Sequence, residues 1–214
     1  MEEPSRSAAV LEVAALSALL LSYIWGWQGA FPGSRLLIVI LYFGIGIASH
    51  LRRGESARAI GFRLDNWQTA LRGALGAVGI AALFFLAVGF ALNTWHFPPP
   101  RQIALELPWM VAWGTAQQYG LVCFFYQRLL EILQGPRAAT LGAASLFAVF
   151  HVPNPLLLAV TLGAGIVSCT LYRRAPNVLV LGIAHAIISI VIASTLPLEV
   201  THRMHVGPGY FSVS

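Results

Sequence analysis

Charged residues are scarce in this sequence, and lysine is absent from it. Only 10% of the 214 residues are charged, against roughly 25% in a soluble domain, while 57% are hydrophobic. Every Lys/Arg position is an arginine, and the arginines cluster in short segments between apolar runs. This composition excludes an ordinary soluble enzyme. Because the arginines are placed as topology signals are, we expect no nucleic-acid partner.

Cysteine is almost as rare. Cys123 and Cys169 both lie in apolar runs. Two isolated cysteines form neither a disulfide framework nor a metal knuckle, so we interpret them as small core residues. A cleavable signal peptide is not indicated either, because MEEPSRSAAV is acidic before it is basic and the apolar run after it is long enough to span a membrane.

Apolar windows of about 20 residues recur along the whole chain. They predict an all-α fold, a polytopic transmembrane bundle of about seven spans, at residues 8–27, 35–51, 68–92, 105–131, 138–152, 155–172 and 177–196. We divide the chain into two N-terminal transmembrane helices with a cytoplasmic loop (1–60), a transmembrane core (61–196) and a polar C-terminal tail (197–214). We expect the tail to lie on the surface or to be disordered.

Arginine placement predicts the orientation of the bundle. If seven spans alternate, one side of the membrane carries Arg52, Arg53, Arg58, Arg63, Arg72, Arg128, Arg137, Arg173 and Arg174. The other side carries Arg35, Arg101 and Arg203. The positive-inside rule then puts the N-terminus in the cytoplasm. We therefore expect an integral protein of a bacterial cytoplasmic (inner) membrane, with the lipid bilayer as its surroundings.

Four polar side chains interrupt the apolar runs. Gln117 and Gln118 lie in the fourth run, His151 in the fifth and His185 in the seventh. A buried amide costs free energy unless a partner bonds it, and hydrocarbon offers no partner. Polar groups inside a span are therefore functional candidates, and we take these four as candidate catalytic residues. Hydrogen bonds between helices are the plain alternative for the two amides.

Helical phase adds two residues to the fourth run. At 3.6 residues per turn, Gln117 shares a face with Trp113 one turn before it and with Arg128 three turns after it. We predict that Trp113 contacts substrate. Arg128 lies near the predicted cytoplasmic end, where its side chain either reaches lipid phosphates or contacts substrate.

The fifth run is short and stops at HVPNP. Phe147 and His151 are four residues apart and share a face, and the two prolines after His151 end the helix. A short run that breaks at a histidine indicates backbone that faces a cavity rather than lipid. We predict that Phe147 contacts substrate. Asn154, between the prolines, either caps the next helix or contacts substrate as well.

The order of these residues resembles the CPBP family, the type II CAAX prenyl endopeptidase-like intramembrane proteases. The family's FxxxH motif is intact as FAVFH at 147–151, and its HxxxN or HxxxD motif is partial as HAIIS at 185–189. Its EExxxR motif is degenerate, because Gln117 and Gln118 replace the two glutamates and Val122 replaces the arginine. The resemblance covers about residues 60–195.

This resemblance implies an endopeptidase that cleaves a membrane-anchored or prenylated substrate by attack of water. His151 and His185 would hold a divalent metal such as zinc, or polarise the water, and Gln117 and Gln118 would orient the substrate. A neutral amide cannot act as the general base that a carboxylate provides, and losing a base typically costs about 10²–10⁴ in rate. Glutamine is also a poor metal ligand. We therefore expect proteolysis to be lost or altered.

Two other readings stay open beside the degenerate protease. A non-catalytic relative would use the pocket to bind a peptide or a lipid tail as a membrane scaffold. A membrane enzyme of another class would use the histidines and amides to act on a lipophilic small molecule, such as an isoprenoid.

Overall fold

The computed structural model describes residues 6–31 and 33–212 of the chain, and within them it contains helices and no strands. The helices are α1 (Arg6–Ser22), α2 (Ser34–Arg52), α3 (Trp67–Leu92), α4 (Pro100–Gln118), α5 (Tyr126–Leu133), α6 (Pro136–Val149), α7 (Pro155–Arg174), α8 (Val178–Thr195) and α9 (Leu198–Thr201). Two π-helical segments extend them, Tyr23–Trp27 after α1 and Tyr119–Phe125 between α4 and α5. The predicted all-α bundle is confirmed.

Five described helices are long and apolar enough to cross a membrane. They are Arg6–Trp27, Ser34–Arg52, Trp67–Leu92, Pro155–Arg174 and Val178–Thr195. The predicted fourth span is a continuous rod that runs from α4 through the π segment into α5. The predicted fifth span is α6, whose 14 residues extend only about 21 Å at 1.5 Å per residue, short of a hydrocarbon core of about 30 Å. The chain is thus an integral membrane protein in which α6 stops inside the bundle.

Proline and asparagine set the helix starts around this break. Pro100, Pro136 and Pro155 each stand at the first turn of a helix, where the missing N–H costs nothing. The side-chain oxygen of Asn154 accepts from the backbone N–H of Leu157 at 3.1 Å and so caps α7. The turn 150–154 therefore ends one helix and starts the next at the level of His151.

The bundle is built around the rod of α4, the π segment and α5. All seven residues of the π segment are buried, and α4 packs along α8 while α6 packs along α7. Two glycines allow the α4–α8 contact to be close: a Cβ at Gly114 would lie 2.7 Å from the carbonyl oxygen of Gly182. A side chain there would push the helices apart, so small residues bring Gln117 and Gln118 against α8.

The C-terminal tail folds back onto the bundle. The Asn154 side-chain amide donates to the carbonyls of Thr201 and His205 at 3.0 and 3.2 Å. The backbone N–H of Gly207 donates to the carbonyl of Val152 at 3.0 Å. The expectation of a disordered tail is therefore wrong for residues 198–212, because a fully buried asparagine needs the carbonyls that the tail supplies.

Candidate functional site

The two glutamines meet the seventh-run histidine from opposite sides. The side-chain nitrogen of Gln117 lies 3.4 Å from His185 Nε2, and that of Gln118 lies 3.4 Å from His185 Nδ1. A neutral imidazole has one N–H and one lone pair, so one amide must present its oxygen to the ring and the other its NH₂. Both ring nitrogens of His185 are therefore engaged by neutral amides.

Gln118 has hydrogen-bonding capacity left over. Its side chain is only 2% exposed. Among the residues that the structure describes, its Oε1 has no hydrogen-bond partner. A buried amide oxygen without a partner costs about 1–3 kcal/mol, and such groups are uncommon in folded proteins. The position next to His185 is accordingly polar and incompletely satisfied.

His151 stands in the turn after α6 with a defined tautomer. Its Nδ1 lies 2.7 Å from the carbonyl oxygen of Phe147, which can only accept, so Nδ1 carries the proton and donates. The lone pair is then on Nε2. The Phe147 ring packs between the two imidazoles, with centroids 4.9 Å from His151 and 6.4 Å from His185. The four-residue spacing of the FxxxH motif thus lets the His151 ring hydrogen-bond to the carbonyl of Phe147 at the C-terminal end of α6.

A cavity of about 420 Å³ adjoins this cluster. Its wall is mainly aliphatic and aromatic, and it includes Trp113, Gln117, Phe147 and His151. Tyr23, Gln28, Arg35, Tyr42, Phe43, Trp109, Phe125, Phe150 and Val206 also line it. Within the described ranges 6–31 and 33–212, no aspartate or glutamate lines this cavity. Gln118 and His185 lie behind the wall, where they hold Gln117 through the shared imidazole.

The cavity lies between α2 and the α4 rod, and the end of α1 also contributes to its wall. Within this wall the Tyr42 hydroxyl donates to the carbonyl of Ala116 at 2.8 Å. A Cβ on Gly120 would overlap that hydroxyl, and one on Gly46 would overlap the hydroxyl of Tyr119, so only glycine permits this approach. One residue in each of these contacts belongs to the π segment or immediately precedes it, and π segments occur frequently at functional sites. Nothing in the sequence pattern indicated this close approach.

Asn154 lies outside the cavity wall. The side chain is fully buried, its oxygen caps α7 and its nitrogen donates to two tail carbonyls. With both ends of the amide occupied, the structure supports the capping role and not the substrate contact that we also considered.

Arg128 is also placed away from the cavity, so neither expectation for it holds. It is fully buried and does not reach lipid phosphates. Its guanidinium forms ion pairs with Glu55 and Glu131, and its Nη2 lies 3.1 Å from His50 Nδ1. A buried cation needs opposite charges around it, and two helices and a loop supply them.

These residues belong to a charged cluster at the far end of the bundle, which sequence reasoning missed. Arg53 pairs with Glu131 at 3.0 Å and with Glu12 at 2.9 Å, and the Ser49 hydroxyl donates to Glu12 at 2.7 Å. We define the ion cluster as Glu12, Ser49, His50, Arg53, Glu55, Arg128 and Glu131. The only signal for it was an acidic residue inside the first apolar run.

The pKa of Glu55, in the loop after α2, reflects two opposing effects within the ion cluster. Burial by itself raises the pKa of this carboxyl, but hydrogen bonds from His50 and Arg128 and the charge of Arg128 lower it to about 2. Glu55 therefore stays ionised at any physiological pH and holds Arg128 in place.

The donor set beside the cavity does not fit a tightly bound divalent metal. In the part of the chain that the structure describes, no group of three His, Cys, Asp or Glu side chains is arranged to hold one. Both nitrogens of His185 face amides, so of the two imidazoles described at this site only His151, at Nε2, has a lone pair without a described partner. Zinc sites use at least three strong protein ligands. The residues at this site therefore do not support metal-dependent chemistry.

Comparison with known proteins gives a match to one family model, in the region that contains the site. No curated protein and no solved structure shows a significant match. The family model of the type II CAAX prenyl endopeptidase Rce1-like proteins matches residues 99–191, which include Gln117, Gln118, His151 and His185. The chain is thus an integral membrane protein whose residues 99–191 match the family model of the Rce1-like type II CAAX prenyl endopeptidases, in agreement with the resemblance that its motifs showed.

Proposed function

We propose that this protein binds a lipophilic ligand in the cavity between α2 and the α4 rod, without cleaving peptides by a carboxylate-activated water. One observation carries the proposal. The described wall of the cavity combines an apolar, aromatic surface with Gln117 and His151, and it contains no carboxylate.

The size and lining of the cavity suit a small lipophilic molecule. Its volume of about 420 Å³ lies within the range of about 300–1,000 Å³ that small-molecule sites occupy. Such sites pair an apolar wall with a few placed polar groups that orient the ligand. Here Gln117 and His151 are those groups, and Trp113 and Phe147 are part of the apolar wall beside them.

The polar groups are neutral and can both donate and accept. His151 offers a lone pair at Nε2, and Gln117 is positioned by its contact with His185. This combination recognises a hydroxyl or carbonyl group on an otherwise apolar molecule, because each polar atom of the ligand then finds a partner. Among the functions left open by the sequence, ligand binding is the one that does not need the carboxylates missing from the described cavity wall.

A histidine-based hydrolase is the second candidate. The free Nε2 lone pair of His151 could accept a proton from water, and an amide N–H could stabilise a developing oxyanion. Under this candidate the purified protein cleaves a prenylated peptide, and His151→Ala abolishes the cleavage. Under the binding proposal neither the protein nor its Gln117→Glu, Gln118→Glu double variant cleaves the peptide above background.

Filling the cavity tests the binding proposal directly. The protein is extracted in mild detergent, and bound lipophilic molecules are identified by native mass spectrometry. Ala116→Trp places an indole in the cavity wall, whereas Ala87→Trp adds the same indole to the exposed face of α3 as a matched control. We expect the ligand to be lost from Ala116→Trp and kept by Ala87→Trp. Equal retention by both variants would refute the proposal.

A further inference from the structure

We infer that the cavity ligand is an anionic amphiphile whose head group pairs with Arg35 and whose chain lies between α2 and the α4 rod. This inference rests on the proposed function and adds the chemical class of the ligand. Nothing in the family motifs points to Arg35, which lies outside the residues that match the family.

Arg35 brings an uncompensated charge to the cavity. It stands in the first turn of α2, lines the cavity and is exposed. No carboxylate among the described residues lies within ion-pair distance of Arg35, whereas Arg53, Arg63 and Arg128 all have acidic partners. Gln28, also on the wall, adds an amide from the turn before α2. A guanidinium with free donors, in a wall that also offers an amide, is suited to a phosphate or carboxylate group.

The rest of the cavity wall indicates where the hydrocarbon chain of the ligand lies. Arg35 and Tyr42 are seven residues apart on α2, so the charge stands about 10 Å along the helix from the contact of Tyr42 with Ala116. Ile38 and Val39 lie between them on the same wall, opposite Trp109 and Trp113. An amphiphile with its head at Arg35 thus places its chain against apolar residues and its distal part toward Gln117 and His151.

Access from the bilayer follows from the same geometry. The described hydrogen bonds, ion pairs and glycine contacts between α2 and the α4 rod begin at Tyr42 and continue toward the C-terminal end of α2, so none of them lies on the Arg35 side of Tyr42. On the other wall, Trp109 and Trp113 are stacked 6.4 Å apart and are 70% and 52% exposed. Aromatic side chains that are partly in the cavity and partly outside it form the edge of a side opening toward lipid.

Paired arginine variants separate this role from that of a plain interface anchor. Arg101 lies in the first turn of α4, is exposed and does not line the cavity, so Arg101→Gln removes the same charge as Arg35→Gln. Binding is measured by native mass spectrometry with lysophosphatidylglycerol, lysophosphatidylcholine and glycerol phosphate. The first probe has an anionic head and a chain, the second a zwitterionic head and a chain, and the third an anionic head alone.

We expect the protein to bind the anionic lysolipid about tenfold more tightly than the zwitterionic one, as one charge-assisted contact would give. Arg35→Gln should remove this preference while keeping chain binding, and Arg35→Lys and Arg101→Gln should retain it. A preference that survives Arg35→Gln would overturn the inference. Glycerol phosphate binding as tightly as the anionic lysolipid would also overturn it, because the chain would then be irrelevant. Absence of binding by both lysolipids would instead contradict the proposed function itself.

Discussion

Two polar clusters lie inside the same apolar bundle, and they differ in charge and in their distance from the cavity. The ion cluster joins α1, α2, the loop after α2 and α5 through full charges, each facing an opposite charge. The cluster of Gln117, Gln118 and His185 is neutral, its contacts are 3.4 Å long, and it adjoins the cavity through Gln117. Each cluster contains buried polar atoms without a described hydrogen-bond partner, namely Gln118 Oε1 in one and His50 Nε2 and Arg128 Nε in the other.

The difference indicates different roles. Charges that are mutually neutralised hold helices together and have little left to offer a ligand. Neutral groups with unused hydrogen-bonding capacity beside a cavity can still bind something. Polarity inside a membrane bundle therefore marks a candidate ligand site here only where neutral polar groups line a cavity.

Removing the central cation should have the largest effect on stability. Arg128→Leu removes the ion pairs of this buried cation with Glu55 and Glu131, and breaking a buried pair in this way costs about 3–5 kcal/mol. We expect a large fall in the Tm measured in detergent. Arg137→Leu, at an exposed position with no ion pair to the described acids, is the control and should change the Tm little. Equal effects of both variants would mean that the ion cluster is not a structural clamp.

Acid should weaken the ion cluster. The pKa of Glu55 is lowered from 4.5 to about 2 by folding, so its stabilisation is complete above pH 4.5 and is lost as the pH falls toward 2. After allowance for partial exposure, the loss is about 1–2 kcal/mol. Thermal melts across this range should show it, and Glu55→Gln should reduce the slope. A slope unchanged in Glu55→Gln would assign the acid effect to other carboxyls.

The neutral cluster should tolerate the loss of Gln118. Because its Oε1 has no partner in the described structure, Gln118→Leu removes an unsatisfied group together with one long contact. We expect a change in stability within about 1 kcal/mol in either direction. Arg128→Leu serves as the reference measurement. A loss comparable to that reference would show that the amide cluster is as structural as the ion cluster.

The smallest expected effect is that of His151→Ala on the zinc content of the purified protein. With two imidazoles, one of them already engaged by amides, we expect the purified protein to hold well under one equivalent of zinc. Elemental analysis should give the same value for the His151→Ala variant. A stoichiometric metal that this variant loses would contradict the donor-set argument and restore the metal predicted from the family resemblance.

Much of the site was predictable from residue type and spacing. Gln117, Gln118, His151 and His185 stood out because hydrocarbon gives polar groups no partner, and the structure brings them together with Trp113 and Phe147. Two partners of Arg128, Glu12 and Glu55, were not predictable, because they come from distant parts of the chain. Helical phase placed Arg128 on a face but could not say which helix covers that face.

Local hydropathy, backbone restriction and short spacing sufficed to predict the all-α membrane bundle, the helix break at Pro153 and Pro155 and the family motifs. Which polar groups find partners follows instead from tertiary packing. That outcome depends on glycine contacts such as Gly114 against α8 and Gly120 against Tyr42, which set how closely helices approach. Helix approach governs whether a polar side chain meets a partner or faces a cavity, and it is a property of pairs of segments rather than of any one of them.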